Sequence, residues 1–171
     1  DVLKLLKSKY HEHRLTAVLI LGDQFRRAEA KPGAQIVRAD LKSTKQINNW
    51  DIVDSSAPHI LGTYLLTHPR GILTRLARSR NLWERRMAII ATQTFIRRGQ
   101  FNDTLKLAKI LLRDREDLIH KAAGWMLREV VNSDLKQLLN FLNEHNGQMP
   151  RTMFRYAIER FEENLRQSYL K

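Results

Sequence analysis

Residues 116–130 read EDLIHKAAGWMLREV, polar across the first turn and then apolar at helical spacing through Val130. Four other stretches share this shape: HEHRLTAVLILGDQF from His11, NNWDIVDSSAPHILG from Asn48, NLWERRMAIIATQTF from Asn81 and MPRTMFRYAIERF from Met149. Successive starts lie 37, 33, 35 and 33 residues apart, with a less regular helical segment between each pair. A two-helix unit repeated in this way cannot bury its apolar face alone and does so by stacking on its neighbours.

Working outward, helical periodicity covers nearly the whole chain, and no stretch alternates with the period of two that a strand needs. The spacing predicts helices over 2–9, 11–28, 34–44, 49–66, 69–78, 81–98, 101–113, 117–131, 134–145 and 150–168, the last breaking near Phe161. Pro32-Gly33, Pro69, Gly99, Gly147 and Pro150 punctuate these segments, and Asn49, Asn81, Asn102 and Ser133 precede helical runs as N-caps. A tetratricopeptide array has a similar period, but its Trp/Leu/Gly/Tyr pattern does not recur. The expectation is an all-α chain, an α-α superhelix built as a short solenoid of HEAT-like two-helix repeats, with residues 1–171 forming a single domain.

Composition excludes several chemistries. The 171 residues contain no cysteine, so disulfides, thiolate metal sites and cysteine nucleophiles are impossible. No apolar run approaches the roughly 20 residues of a transmembrane helix. The opening Asp1-Val2-Leu3-Lys4 lacks the pattern of a signal peptide and lies inside a helical pattern; a cytoplasmic location is expected. Lys and Arg number 30 against 18 Asp and Glu, a formal charge of +12. With 43% hydrophobic residues the chain is no disordered basic tail, and its charge favours a polyanionic partner.

The repeat phase organises that charge. Arg14, Arg85, Arg86, Lys121, Arg128, Arg151 and Arg155 all lie in the repeated helices, and equivalent positions of a solenoid line up on one face. A curved cationic wall suits a nucleic-acid backbone. The plainer alternative is a solvated basic surface.

Three tryptophans and one acid stand out. Trp50 and Asp54, four apart in NNWDIVDSSAP, project from one helix face. Asp51 is explained by the helix dipole, whereas Asp54 lies a turn further in, where the dipole offers little. Pro58 supplies no N–H to the Asp54 carbonyl, so a kink is expected there. On spacing alone, Asp54 is best read as pairing with a nearby arginine. Trp83 is most simply core. Trp125 follows Ala122, Ala123 and Gly124, small residues that admit a close neighbour, and packing is the simplest reading. His11-Glu12-His13 lacks the second histidine of a zinc-protease motif, and His59, His68, His120 and His145 show no ligand spacing, so no metal is expected. Phosphate-binding glycine loops and the Gly-x-Ser-x-Gly elbow are missing from the sequence.

Taken in order, NNWDIVDSSAP, LWERRMAIIATQTFIRRGQF, DLIHKAAGWMLREV and MPRTMFRYAIERF, with HEHRLTAVLIL before them, resemble the AlkD-like DNA alkylation repair family over essentially all 171 residues. The resemblance implies a HEAT-like superhelix cradling double-stranded DNA and a DNA glycosylase that releases N3- and N7-alkylated purines. It places the catalytic carboxylate at Asp54, aromatic partners at Trp50 and Trp125, and an active-site arginine at Arg86, with Arg85 the second choice. Arg14, Lys121, Arg128 and Arg151 join these two as DNA-binding residues. The chemistry it implies requires no cofactor; no membrane is expected, and a monomer on DNA is the simplest expectation. Members of the family generally carry further helices before the HExR segment, whereas here one short helix precedes it; either the sequence lacks its N-terminal helices or this member is shorter.

An alkylated purine is already cationic and leaves without a strong general acid. An ionised Asp54 beside the sugar would then favour the oxocarbenium-like transition state. The competing readings are a non-catalytic nucleic-acid-binding solenoid and a scaffold for acidic proteins.

Overall fold

The turns into the repeats are set by side chains that satisfy the free amides of a helix start. Asn49 accepts from the Trp50 amide at 2.7 Å and Asn81 from the Trp83 amide at 3.0 Å, as expected from the sequence. In the computed structural model, which describes residues 1–170, the elements are α1 Val2–Leu6, α2 His11–Arg27, α3 Ala30–Lys42, α4 Trp50–Ser56, a π-helical turn Pro58–Gly62, α5 Gly71–Ala77, α6 Leu82–Ala91, α7 Gln93–Ile96, α8 Asn102–Leu111, α9 Asp117–Val131, α10 Leu135–His145, a 3₁₀ turn Asn146–Gln148, α11 Arg151–Ala157 and α12 Glu163–Leu170. No strand occurs among the described residues.

The five repeated segments become α2, α4, α6, α9 and α11, and each packs on the next in that order. The intervening helices α3, α5, α8 and α10 lie against α2, α6 and α9 as a second layer. The result is an all-α superhelix. A core stripe runs along α9, where Ile119, Ala122, Ala123, Met126, Leu127 and Val130 are fully buried. Burial of each large apolar side chain is worth roughly 1.5–3 kcal/mol. That stripe outweighs the cost of about 1 kcal/mol that Gly124 imposes inside the helix.

Several expected boundaries shift for physical reasons. The run over 49–66 is not one α-helix. Pro58 offers no amide, and the chain widens into i→i−5 bonding, with the Gly62 amide on the Ala57 carbonyl at 2.8 Å. The run over 81–98 is interrupted at Thr92, whose hydroxyl donates to the Ile89 carbonyl at 2.7 Å. Pro32 does not separate segments but lies in the first turn of α3, where its missing amide goes unnoticed. The cap of α10 is Asp134 rather than Ser133, accepting from the Gln137 amide at 3.1 Å, and Asn102 is the first residue of α8 rather than its cap. The break near Phe161 occurs as expected, between α11 and α12.

Two glycines are demanded by close approach. A Cβ on Gly62 would collide with the Ala91 carbonyl oxygen, so the π turn seats on α6 only through glycine. A Cβ on Gly124 would lie 2.5 Å from the Met153 carbonyl oxygen and 2.5 Å from the Tyr156 Cβ. The small residues around Trp125 thus admit a neighbouring helix, α11.

Candidate active site

Helices α4, α6, α9 and α11 contribute to one open cleft of about 350 Å³. Trp50 and Asp54 come from α4, Arg86 from α6, Lys121, Trp125 and Arg128 from α9, and Tyr156 from α11. The register explains the convergence. Asp54, Arg86 and Lys121 are each the fifth residue of their helix, so stacking brings them to one cleft; in α11 it is the sixth residue, Tyr156, that lines it.

Asp54 forms the floor. Arg86 donates from Nε to its Oδ1 at 2.9 Å and from Nη2 to its Oδ2 at 2.7 Å, while Nη1 donates to the Leu118 carbonyl at 2.6 Å. The pair is largely buried, with side-chain exposures of 15% for Asp54 and 6% for Arg86. Burial has the largest influence on the Asp54 carboxyl and raises its pKa above the ordinary aspartate value; the hydrogen bonds and charge of Arg86 oppose it, and Asp51 adds a smaller upward push. The fork-like double donation is the geometry of an ionised carboxylate.

Trp50 is 53% exposed at the first position of α4, an unusual setting for so large an apolar ring. Trp125 is partly buried, and its indole Nε1–H donates to Glu129 Oε1 at 3.1 Å. Glu129 is in turn 3.6 Å from Arg128 Nε and 3.5 Å from Arg160 Nη2. Trp83 packs against the core, as expected.

The basic residues divide into two groups. Lys121 is half-exposed beside the cleft and pairs with Asp117 at 2.8 Å. Arg128 lines the cleft and bonds Glu159. Arg151 and Arg155 are exposed on α11. Arg14 and Arg85, expected on the DNA-facing wall, are instead turned back into the protein. Arg14 donates to the Ser8 and Lys9 carbonyls at 3.0 and 3.1 Å, and Arg85 to the Ser79 and Arg80 carbonyls at 3.0 and 3.2 Å. Arg85 also grips Asp114 at 2.6 Å. Both are the fourth residue of their helix, and His120, fourth in α9, reaches the Asp114 carbonyl at 2.7 Å in the same way. These residues close the preceding turn, where carbonyls would otherwise lack donors. Arg86, expected to hold a phosphate, is likewise buried and committed to Asp54 and Leu118.

The family profile described as DNA alkylation repair enzyme matches residues 1–161. The chain belongs to the DNA alkylation repair enzyme family. A solved structure named as a predicted DNA alkylation repair enzyme from Enterococcus faecalis superposes with a TM-score of 0.77 at 16% identity, covering 95% of this chain and 74% of that one; at this identity the likeness shows the fold. No curated protein matches the chain. For a DNA alkylation repair protein the described residues contain no helix long and apolar enough to cross a membrane, and no group of three or more His, Asp or Glu side chains arranged for a metal ion.

Sequence reasoning missed two parts of this site. Tyr156 lies in the MPRTMFRYAIERF repeat but draws no attention without knowing that α11 closes over Gly124. Glu129 sits four residues after Trp125, one turn away on the same face, and that spacing was a usable signal. A larger groove of about 570 Å³ between α2, α3 and the π turn is lined by Leu19, Phe25, His59 and Tyr64, and its acid Asp23 is a partly exposed group paired with the exposed Arg26 and Arg27 rather than a largely buried one.

Proposed function

We propose that this DNA alkylation repair protein is a DNA glycosylase that hydrolyses the N-glycosidic bond of N3- and N7-alkylated purines in double-stranded DNA. The observation that carries the reading is Asp54, gripped through both carboxylate oxygens by Arg86 in a cleft that Trp50 and Trp125 also line.

In this reaction the C1′–N bond breaks with its electron pair going to the alkylpurine, which thereby loses its positive charge and departs neutral. Positive charge grows on the deoxyribose. Asp54 gains interaction as that charge develops, so it favours the transition state over the ground state. Water then adds to C1′ and gives up a proton, which Asp54 is suited to accept. Trp50 and Trp125 supply π faces beside the cationic sugar and base, worth about 0.5–2 kcal/mol each. Arg86 acts through Asp54, keeping it charged against the pull of burial. Exposed Arg151 and Arg155 are cations available to DNA phosphates, and Lys121 and Arg128 reach phosphates only by leaving Asp117 and Glu159. The reading needs no cofactor or metal and works with one copy of the chain.

One observation favours the alternative, a non-catalytic nucleic-acid-binding superhelix: both Asp54 oxygens are already engaged by Arg86. The deciding experiment incubates the protein with a duplex carrying a single N7-methylguanine. Free base and alkali-labile sites are quantified against spontaneous depurination, with Asp54→Asn alongside. The glycosylase reading expects release that falls about 10²–10³-fold in Asp54→Asn while DNA affinity persists. Salt-sensitive binding without release would establish the non-catalytic reading instead.

A further inference from the structure

Tyr156 stands between two recesses. It lines the cleft of Trp50, Asp54 and Trp125, and it also lines a neighbouring recess with Thr152 and Arg155. Its position depends on Gly124, whose missing Cβ brings α11 onto α9. Tyr156 is only partly buried, stands outside the apolar core, and its hydroxyl has no hydrogen-bond partner among the described residues. The aromatic pairs of the described residues involve other rings, so Trp50, Trp125 and Tyr156 share a cleft without stacking on one another. Three unstacked rings from three different helices line one cleft in which Arg86, Lys121 and Arg128 are each already paired with an acid, so no unpaired cation there competes for the negative π faces the rings can offer.

We infer that Tyr156 is the third wall of an aromatic cage with Trp50 and Trp125, and that this cage selects a cationic alkylated nucleobase over its neutral isostere. The inference rests on the proposed function for the identity of the ligand and assigns selectivity to a residue outside the tryptophan–aspartate set. The ring is what acts; the hydroxyl is dispensable.

The test compares binding to two duplexes. One carries a 2′-fluorinated N7-methylguanine, cationic and resistant to hydrolysis; the other carries neutral 7-methyl-7-deazaguanine at the same position. Wild-type protein is expected to prefer the cationic duplex by about tenfold, Tyr156→Phe to keep that preference within about twofold, and Tyr156→Leu to lose about three- to tenfold of it. Melting curves accompany each variant, and Tyr156→Met replaces the leucine variant if the latter melts below the assay temperature. An unchanged preference in the ring-free variants overturns the inference. So does an equal loss in Tyr156→Phe, which would assign the effect to the hydroxyl, or a wild-type protein indifferent to charge. Base release from ordinary N7-methylguanine is measured in parallel. Release without a Tyr156-dependent preference sinks the cage and leaves the glycosylase; a Tyr156-dependent preference without release does the reverse.

Discussion

Arg86 clamps Asp54 with two hydrogen bonds, 2.9 and 2.7 Å, while a third ties it to the Leu118 carbonyl of α9. One guanidinium therefore joins three stacked helices and holds the acid of the candidate site. Removing only Arg86 leaves a buried carboxylate without its cation. Arg86→Met is expected to lower stability by about 3–5 kcal/mol, and the double variant Asp54→Asn/Arg86→Met by clearly less. Chemical denaturation of the four proteins in the cycle measures the coupling; additive effects would show that the pair is not a unit.

Base release should respond to pH through the same pair. Burial lifts the Asp54 pKa above its ordinary value, and the acid works as the anion. Activity is thus expected to fall with decreasing pH, beginning at a higher pH than an ordinary aspartate would give, in single-turnover rates on N7-methylguanine DNA. A rate that is flat down to the normal aspartate range would remove Asp54 from the rate-controlling step.

Asp40 gives stability a pH dependence of its own. It shares the inward stripe of α3 with Gly33 and Val37, is fully buried, and neither carboxylate oxygen finds a hydrogen-bond donor among the described residues. Burial pushes its pKa up to about 7. Between its unfolded value near 3.8 and about 7, the folded chain keeps a proton that the unfolded chain has released, so stability falls as pH rises through that window and levels off above it. Asp40→Asn should be more stable than wild type at pH 8, on the order of 2–4 kcal/mol, with the advantage shrinking toward pH 5. Thermal melts at the two pH values read this directly, and a pH-independent difference would contradict it.

Gly124 links packing to the site. Gly124→Ala forces α11 off α9 and is expected to cost about 1–3 kcal/mol. Because Tyr156 rides on α11, base release should fall further than the stability loss explains, measured well below the melting temperature. Full activity in a folded Gly124→Ala protein would show that α11 can shift without disturbing the cleft.

Salt titrations sort the arginines. Arg151→Ala is expected to lower the slope of log affinity against log salt by about 1. Arg14→Ala and Arg85→Ala should leave the slope unchanged and reduce the melting temperature instead. A slope change in Arg85→Ala would return it to the DNA-facing wall.

The all-α superhelix was legible because apolar spacing recurs in five segments, a pattern that survives shifted boundaries such as the end of α1 or the start of α3. That the α-helix is disturbed at Pro58 was legible too, since a missing amide is a property of one residue, though the disturbance takes the form of a π turn where a kink was expected. Which cations face outward was not. Arg14, Arg85 and Arg151 look alike in sequence, and only the carbonyls left bare by the preceding turn decide which ones fold back. Asp54 shows the same gap between spacing and geometry. The plain expectation of an arginine partner and the functional expectation from family resemblance are compatible, because the structure pairs Asp54 with Arg86 inside the cleft itself. Tyr156 and Asp40 were hidden for a related reason: each takes its meaning from a neighbouring helix, not from its own.

The fifth-residue register also governs which changes in chain length the site can absorb. Each helix start resets the count, so residues added to an inter-repeat loop leave Asp54, Arg86 and Lys121 where they are. One residue inserted within the first turn of α9 would instead rotate everything after it by roughly 100°, carrying Lys121 and Trp125 away from Asp54 together. Insertions should therefore accumulate in the loops of related chains, and the opening turns of the inner helices should keep their length.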